Sequence, residues 1–393
     1  MGVVSRASSA LLWFVSPGGV HRGLAADETV VSQLGVHGVD DSGAATERLS
    51  AALLALEDRV AVDAAAGYAA AVELERRAAA LGDEALLMRA RLCWVDMLRR
   101  TGDVREAARQ IKGIHAWARK HGDRRLQARA HLVQASIERL SGHRAGSLRH
   151  ALKAVELLDE TATAHMQVWH RLRLADALAE NSDMDAARPR YRQAEELARE
   201  LRNWERLLVA LNNWAYSEYR AGNLPQAKEV ARRMQDHAVL RGYHLDSDAL
   251  DTIGAIQIAN GEYAEAEQTM QICIARNRGA GANDADEMAE YLLTLARAQR
   301  GLGATDRALT SLHAAHTQCT ERGLREVLVR VFQEKAELHA IRGEHTQAVA
   351  AKEALFAARE SLPSPQRQPL RVILHALFRT HRGGRGNNNR AAG

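Results

Sequence analysis

Apolar and polar positions along this chain follow the period of an α-helix, in segments that stop and restart at a fixed interval. Residues 208–234 show the unit most plainly. Leu208, Leu211, Trp214 and Ala215 fall at helical spacing, Gly222 and Asn223 interrupt, and Pro225 opens a second run carrying Ala227, Val230 and Met234. This spacing predicts two antiparallel helices joined by a tight turn. The distance from Gly222 to Ala227 then serves as a ruler. The same pairing recurs as Gly102/Ala107, Gly142/Ser147, Ser182/Ala187, Gly261/Ala266, Gly303/Ala308 and Gly343/Ala348. Successive turns are 40, 40, 40, 39, 42 and 40 residues apart, and one further step back places Gly67 in an earlier copy. Fixed-period self-similarity of this kind predicts eight helical hairpins stacked into a solenoid.

A second ladder runs through Gly82, Gly122, Gly242 and Gly323, each just beyond the end of a predicted helix. Glycine there can adopt the left-handed conformation that closes a last turn, so these residues mark junctions between hairpins. Hairpins are expected near 84–121, 124–160, 163–201, 204–241, 245–278, 284–322 and 324–361, after a first from Glu47 to Leu81 whose stripe is Leu49, Leu53, Leu56 and Val60. Small residues midway along the first helices (Ala55, Ala135, Ala175, Ala215, Gly254, Ala296 and Ala336) predict close helix contacts; Val95 breaks the series. Three segments follow: a flexible extension over 1–46, a repeat body over 47–361, and a basic, mostly disordered tail over 362–393 with a short amphipathic helix at Leu370–Phe378. Pro189 is expected to kink or delay its helix, and Asn277–Asp284 to form a mobile loop.

Only 6 prolines and 4% aromatic residues accompany abundant alanine, leucine, glutamate and arginine, which favours an all-α chain. The formal charge of +4 owes everything to the tail: residues 367–393 hold six arginines and no acid, leaving −2 for the rest. A body so close to neutrality argues against nucleic acid as partner. No apolar run reaches the ~18 residues that cross a bilayer. Cys93, Cys273 and Cys319 are far apart in sequence, as expected of buried thiols in a cytoplasmic protein. His313 and His316 could share a helix face as metal ligands, but Cys319 points elsewhere, so neither metal nor cofactor is expected. Without a nucleophile elbow, zinc-protease pair or phosphate loop, catalysis is not expected either.

The pattern resembles the tetratricopeptide repeat, best in the sixth hairpin with Leu250, Ile253, Gly254, Gly261, Tyr263 and Ala266. Its period near forty is similar to the longer-helix variant of bacterial signalling ATPases and transcription activators; HEAT and armadillo repeats share the period but lack the glycine–alanine ruler. The resemblance implies a right-handed superhelix whose first helices line a concave surface that binds a protein or peptide segment. On that surface it places Arg89, Asp96, Arg99, Arg129, Arg139, Trp169, Asp176, Arg297 and Arg300. The central hairpin adds Asn212, Tyr216, Tyr219 and Arg220. Asparagine can both donate to and accept from a peptide backbone, tyrosine gives flat amphipathic contact, and arginine can grip a carboxylate with two bonds. The run ESLPSPQR after the last hairpin resembles the sensory half of GGDEF diguanylate cyclases, although no GGDEF motif is present. A truncated relative of that kind, or the sensor arm of a transcription activator, is the alternative to a free-standing regulatory scaffold.

Overall fold

The computed structural model describes residues 42–58, 64–159, 162–279 and 287–362. These form sixteen helices: α1 Ser42–Asp58, α2 Ala64–Leu81, α3 Glu84–Arg100, α4 Val104–Lys120, α5 Arg124–Leu140, α6 Arg144–Glu156, α7 Ala164–Glu180 and α8 Met184–Glu200. They continue with α9 Trp204–Arg220, α10 Leu224–Arg241, α11 Ser247–Ala259, α12 Tyr263–Gly279, α13 Met288–Gly301, α14 Thr305–Arg322, α15 Arg325–Ile341 and α16 His345–Glu360. Consecutive pairs make eight antiparallel hairpins, and no strand occurs among the described residues. The chain is an all-α, right-handed solenoid of tetratricopeptide-like hairpins.

Both glycine ladders do the work their positions suggest. Gly222 sits at φ 79° and Gly242 at φ 66°, in the left-handed region closed to most side chains. At each, the next residue reaches back to the helix that has just ended: the Asn223 N–H donates to the Glu218 carbonyl and the Tyr243 N–H to the Ala238 carbonyl, both at 2.9 Å. Ser182 (φ 65°) and Arg202 (φ 52°) hold the same conformation without being glycine. A further signal lies one residue after the ladders. Asp83, Asp103, Asp123, Asp183 and Asn203 each accept a bond from a backbone N–H in the first turn of the next helix. One Gly-Asp pair thus ends one helix and begins another.

The ladder alanines Ala107, Ala187, Ala227, Ala266 and Ala308 are fully buried, as are Ala175, Ala215 and Ala296 midway along the first helices. Gly254 lies so close to Met270 that a Cβ there would approach its Sδ to 2.6 Å. Ala55 departs from the series, being exposed.

The boundaries need three corrections. Helix α1 begins at Ser42, inside the segment expected to be flexible. Helix α8 starts at Met184 on schedule and runs unbroken through Pro189. Pro189 is exposed, and the carbonyl it leaves without a donor, Asp185 in the first turn, is open to water. Asn277, Arg278 and Gly279 belong to α12 rather than to a loop, with Asn277 buried. Val60, the rest of the expected loop and Leu370–Phe378 lie outside the described residues.

Each hairpin is a wedge. First helices touch the first helices of neighbouring hairpins (α1 on α3, α3 on α5, α7 on α9, α9 on α11, α11 on α13 and α13 on α15), and no second helix packs as closely on the next second helix. The stack therefore curves with its first helices inside. Along that inner row α5 and α7 approach each other least.

Candidate functional site

A cleft of the inner face lies over this looser approach of α5 to α7, has a cavity volume of about 80 Å³, and is lined by first helices. Helix α3 presents Asp96, Arg99 and Arg100 at i, i+3 and i+4, while α7 presents His165, Trp169 and Arg173 four residues apart, so each set forms one stripe. Helix α1 contributes Glu57, α5 contributes Arg129 and α9 contributes Arg206.

Positive charge dominates. Among the lining residues, five arginines face the carboxylates of Glu57 and Asp96, a formal excess of three. Glu57, its side chain 1% exposed, gathers Arg89 at 3.2 Å, Arg125 at 3.5 Å and Arg129. Asp96 pairs with Arg99 at 2.6 Å. Burial opposes ionisation of Asp96, but Arg99 and Arg100 beside it hold its carboxyl below the usual range. Trp169 is clasped by two guanidinium groups, Arg173 at 4.1 Å and Arg206 at 4.3 Å from the ring centroid. Burial draws Arg173 down to about 10 despite Asp176 beside it.

One buried nitrogen along the cleft, Nη1 of Arg99, has no hydrogen-bond partner. Burial pushes His170 down to about 4, keeping its ring neutral. The cleft therefore offers donors and an aromatic plane to whatever enters it. That suits an anionic group, because a guanidinium fork can hold a carboxylate in two parallel bonds. Its thiol, Cys93, is pushed up to about 11 by burial and stays protonated, which makes it a poor nucleophile.

Of the residues expected on the concave face, Arg99 and Trp169 meet in this cleft, with Asp96 and Arg129. Arg139 stands deeper, 5% exposed, with Glu180 at 3.6 Å. Asp176 belongs to the core, where it accepts bonds from Arg173 (3.0 Å), Tyr191 (2.9 Å) and Asn213 (3.1 Å). Asn212 borders a separate, smaller cleft with Leu208, Asp246 and Asp248, and its buried Oδ1 has no partner. Tyr216 and Tyr219 lie side by side on α9 with ring centroids 6.3 Å apart; Tyr219 leans on the core and Arg220 is exposed. Arg297 and Arg300 both bind Glu334 on α15, at 3.1 and 2.6 Å.

The sequence reading missed Glu57, Arg100, His165, His170, Arg173 and Arg206. Only Arg173 carried a local signal, four residues after Trp169. Of the residues weighed as metal ligands, His313 is exposed with its Nδ1 near the Leu309 carbonyl, while Cys319 is buried.

No family model matches the chain, and no curated protein does. Solved structures match its fold. The APC/C hetero-tetramer Cut9-Hcn1 matches with TM-score 0.58 at 14% identity, covering 87% of this chain and 57% of that one. NprR in complex with its cognate peptide NprX matches with TM-score 0.53 at 13% identity over 84% and 91% of the two chains. The Rap conjugation gene regulator of plasmid pLS20, in complex with the Phr* peptide, matches with TM-score 0.53 at 14% identity over 87% and 94%.

Proposed function

We propose that this protein is a non-catalytic regulatory scaffold whose inner groove binds a peptide through an acidic group. One observation carries the reading: five arginines and Trp169 line one cleft, where Arg99 keeps a buried N–H without a partner. A peptide carboxylate would supply the missing acceptor and offset the excess charge. NprR and the Rap regulator, solenoids of similar fold, were each solved with a bound peptide, which supports peptide recognition here. Asn212 in the neighbouring cleft would serve the peptide backbone with its open Oδ1. The resemblance to the sensory half of diguanylate cyclases rests on the sequence motifs alone.

The test is to pan a random heptapeptide library on the full chain and titrate the enriched peptides by calorimetry. Acidic sequences should be enriched. Arg99→Ala and Trp169→Ala should each weaken binding by about tenfold or more, and Asn212→Ala by about five- to tenfold with little change in stability. Enrichment of basic peptides, or full affinity in folded Arg99→Ala and Trp169→Ala variants, would move recognition off this cleft.

A further inference from the structure

Three histidines converge on the second-helix side of the second and third hairpins: His115 on α4, His131 on α5 and His150 on α6. Each offers a ring nitrogen, and the three nitrogens lie within 4.8 Å of one another. The Nδ1 atoms of His131 and His150 are 2.8 Å apart, and the rings of His115 and His131 stand at a centroid distance of 4.6 Å. The buried Nε2 of His115 has no hydrogen-bond partner. Positions 129 and 131 face nearly opposite ways round a helix, so α5 turns Arg129 into the cleft and His131 away from it.

We propose that His115, His131 and His150 form a binding site for a divalent transition-metal ion, with zinc the best chemical match. Imidazole nitrogens on a tetrahedral zinc stand about 3.3 Å apart, given Zn–N bonds of about 2.0–2.1 Å. The 2.8 Å pair must open slightly and the more distant nitrogen close in, adjustments within reach of ring rotation. The His131–His150 contact is a hydrogen bond that needs a proton on one Nδ1; for both Nδ1 atoms to bind metal, that ring takes the tautomer with its proton on Nε2. Burial pushes His115 and His131 down to about 4 and lowers His150, so the rings are neutral, the form that binds metals. Arg119, Arg149 and Lys153 also face the cluster and oppose a dication, while Glu138 acts on His150 and Glu156 on His131 in the opposite sense. That balance disfavours hard cations such as magnesium, which lack imidazole affinity to compensate. A bound ion would tie α4 to α5 and α6 across the junction of two hairpins and leave a fourth position for water.

The full chain, stripped with chelator, is titrated with zinc chloride by calorimetry and with cobalt chloride by visible absorption, with magnesium chloride as control. One zinc per chain, and ligand-field bands for cobalt, are expected. His131→Ala and His150→Ala should each weaken binding by at least about tenfold, whereas His313→Ala should leave it unchanged. Absence of zinc uptake overturns the proposal, as does uptake unchanged in His150→Ala. Should His131→Ala fail to fold, His115→Ala and His150→Ala decide, because their rings come from the outer helices α4 and α6.

Discussion

Replacing Glu57 with Gln keeps the side chain's shape and removes the charge on which Arg89, Arg125 and Arg129 converge. At 3.2 Å and an effective dielectric near 20, the Arg89 contact alone is worth about 5 kcal/mol before desolvation. Removing one partner of a buried ion pair costs about 3–5 kcal/mol, because the other charge is stranded. Here the arginine side chains keep 16, 30 and 13% exposure and can swing into the cleft, so the lower end applies, about 3 kcal/mol. Solenoids lose structure locally, so the loss should be confined to α1, α3 and α5 in hydrogen exchange, with α11–α16 keeping their protection. The same substitution raises the formal excess of positive charge in the cleft. An acidic peptide should therefore bind about fivefold more tightly at low salt, with the gain shrinking as salt is added. A stability change below about 0.5 kcal/mol would show that Glu57 does not anchor the three arginines. Tighter binding of a neutral peptide by the same factor would refute the electrostatic reading of the cleft.

Three further outcomes test the fold. Ala227→Leu should destabilise the domain by about 1–3 kcal/mol in urea unfolding, since Ala227 is fully buried between helices and has no room for added methylenes. Ser182→Gly should stabilise it by about 0.5–1 kcal/mol by relieving a side chain at φ 65°, seen as a higher thermal midpoint. Burial raises Asp176 to about 6, with Arg173 pulling the other way, so between pH 4 and 6 the folded chain holds this proton more firmly than the unfolded one. Its stabilising contribution is thus full below about pH 4 and lost as pH rises through about 6. The stability gap between wild type and Asp176→Asn, measured by urea midpoints, should accordingly be about 1–3 kcal/mol wider at pH 4 than at pH 7.

How much of this was legible in the sequence depends on the range over which each constraint acts. A left-handed turn and a close helix contact restrict single residues. The forty-residue ladder could therefore be read directly, and the hairpin expected at 204–241 matches α9 and α10. The Gly-Asp pairs were equally local and were overlooked as caps. The cleft was legible only in part. Arg99 and Trp169 follow from first-helix register, but whether a polar side chain at such a position faces the groove or a neighbouring helix depends on partners far along the chain. Asp176 turned inward because Tyr191 and Asn213 supply its bonds, and Arg139 because Glu180 lies beside it. Glu57 meets Arg129 across 72 positions, and the three histidines are separated by 16 and 19 residues. Neither spacing repeats with the period of the solenoid, so neither stands out from ordinary surface composition.

The wider spacing of α5 from α7 opens the inner row without parting the two hairpins, because α6 packs on α7 behind it. Three hairpins stand on one side of that junction and five on the other, each joined to its neighbours by closer first-helix contacts. The arginine-lined cleft sits in that opening, its walls carried by different hairpins. Anything gripping both walls would hold hairpins from both sides of that opening at once.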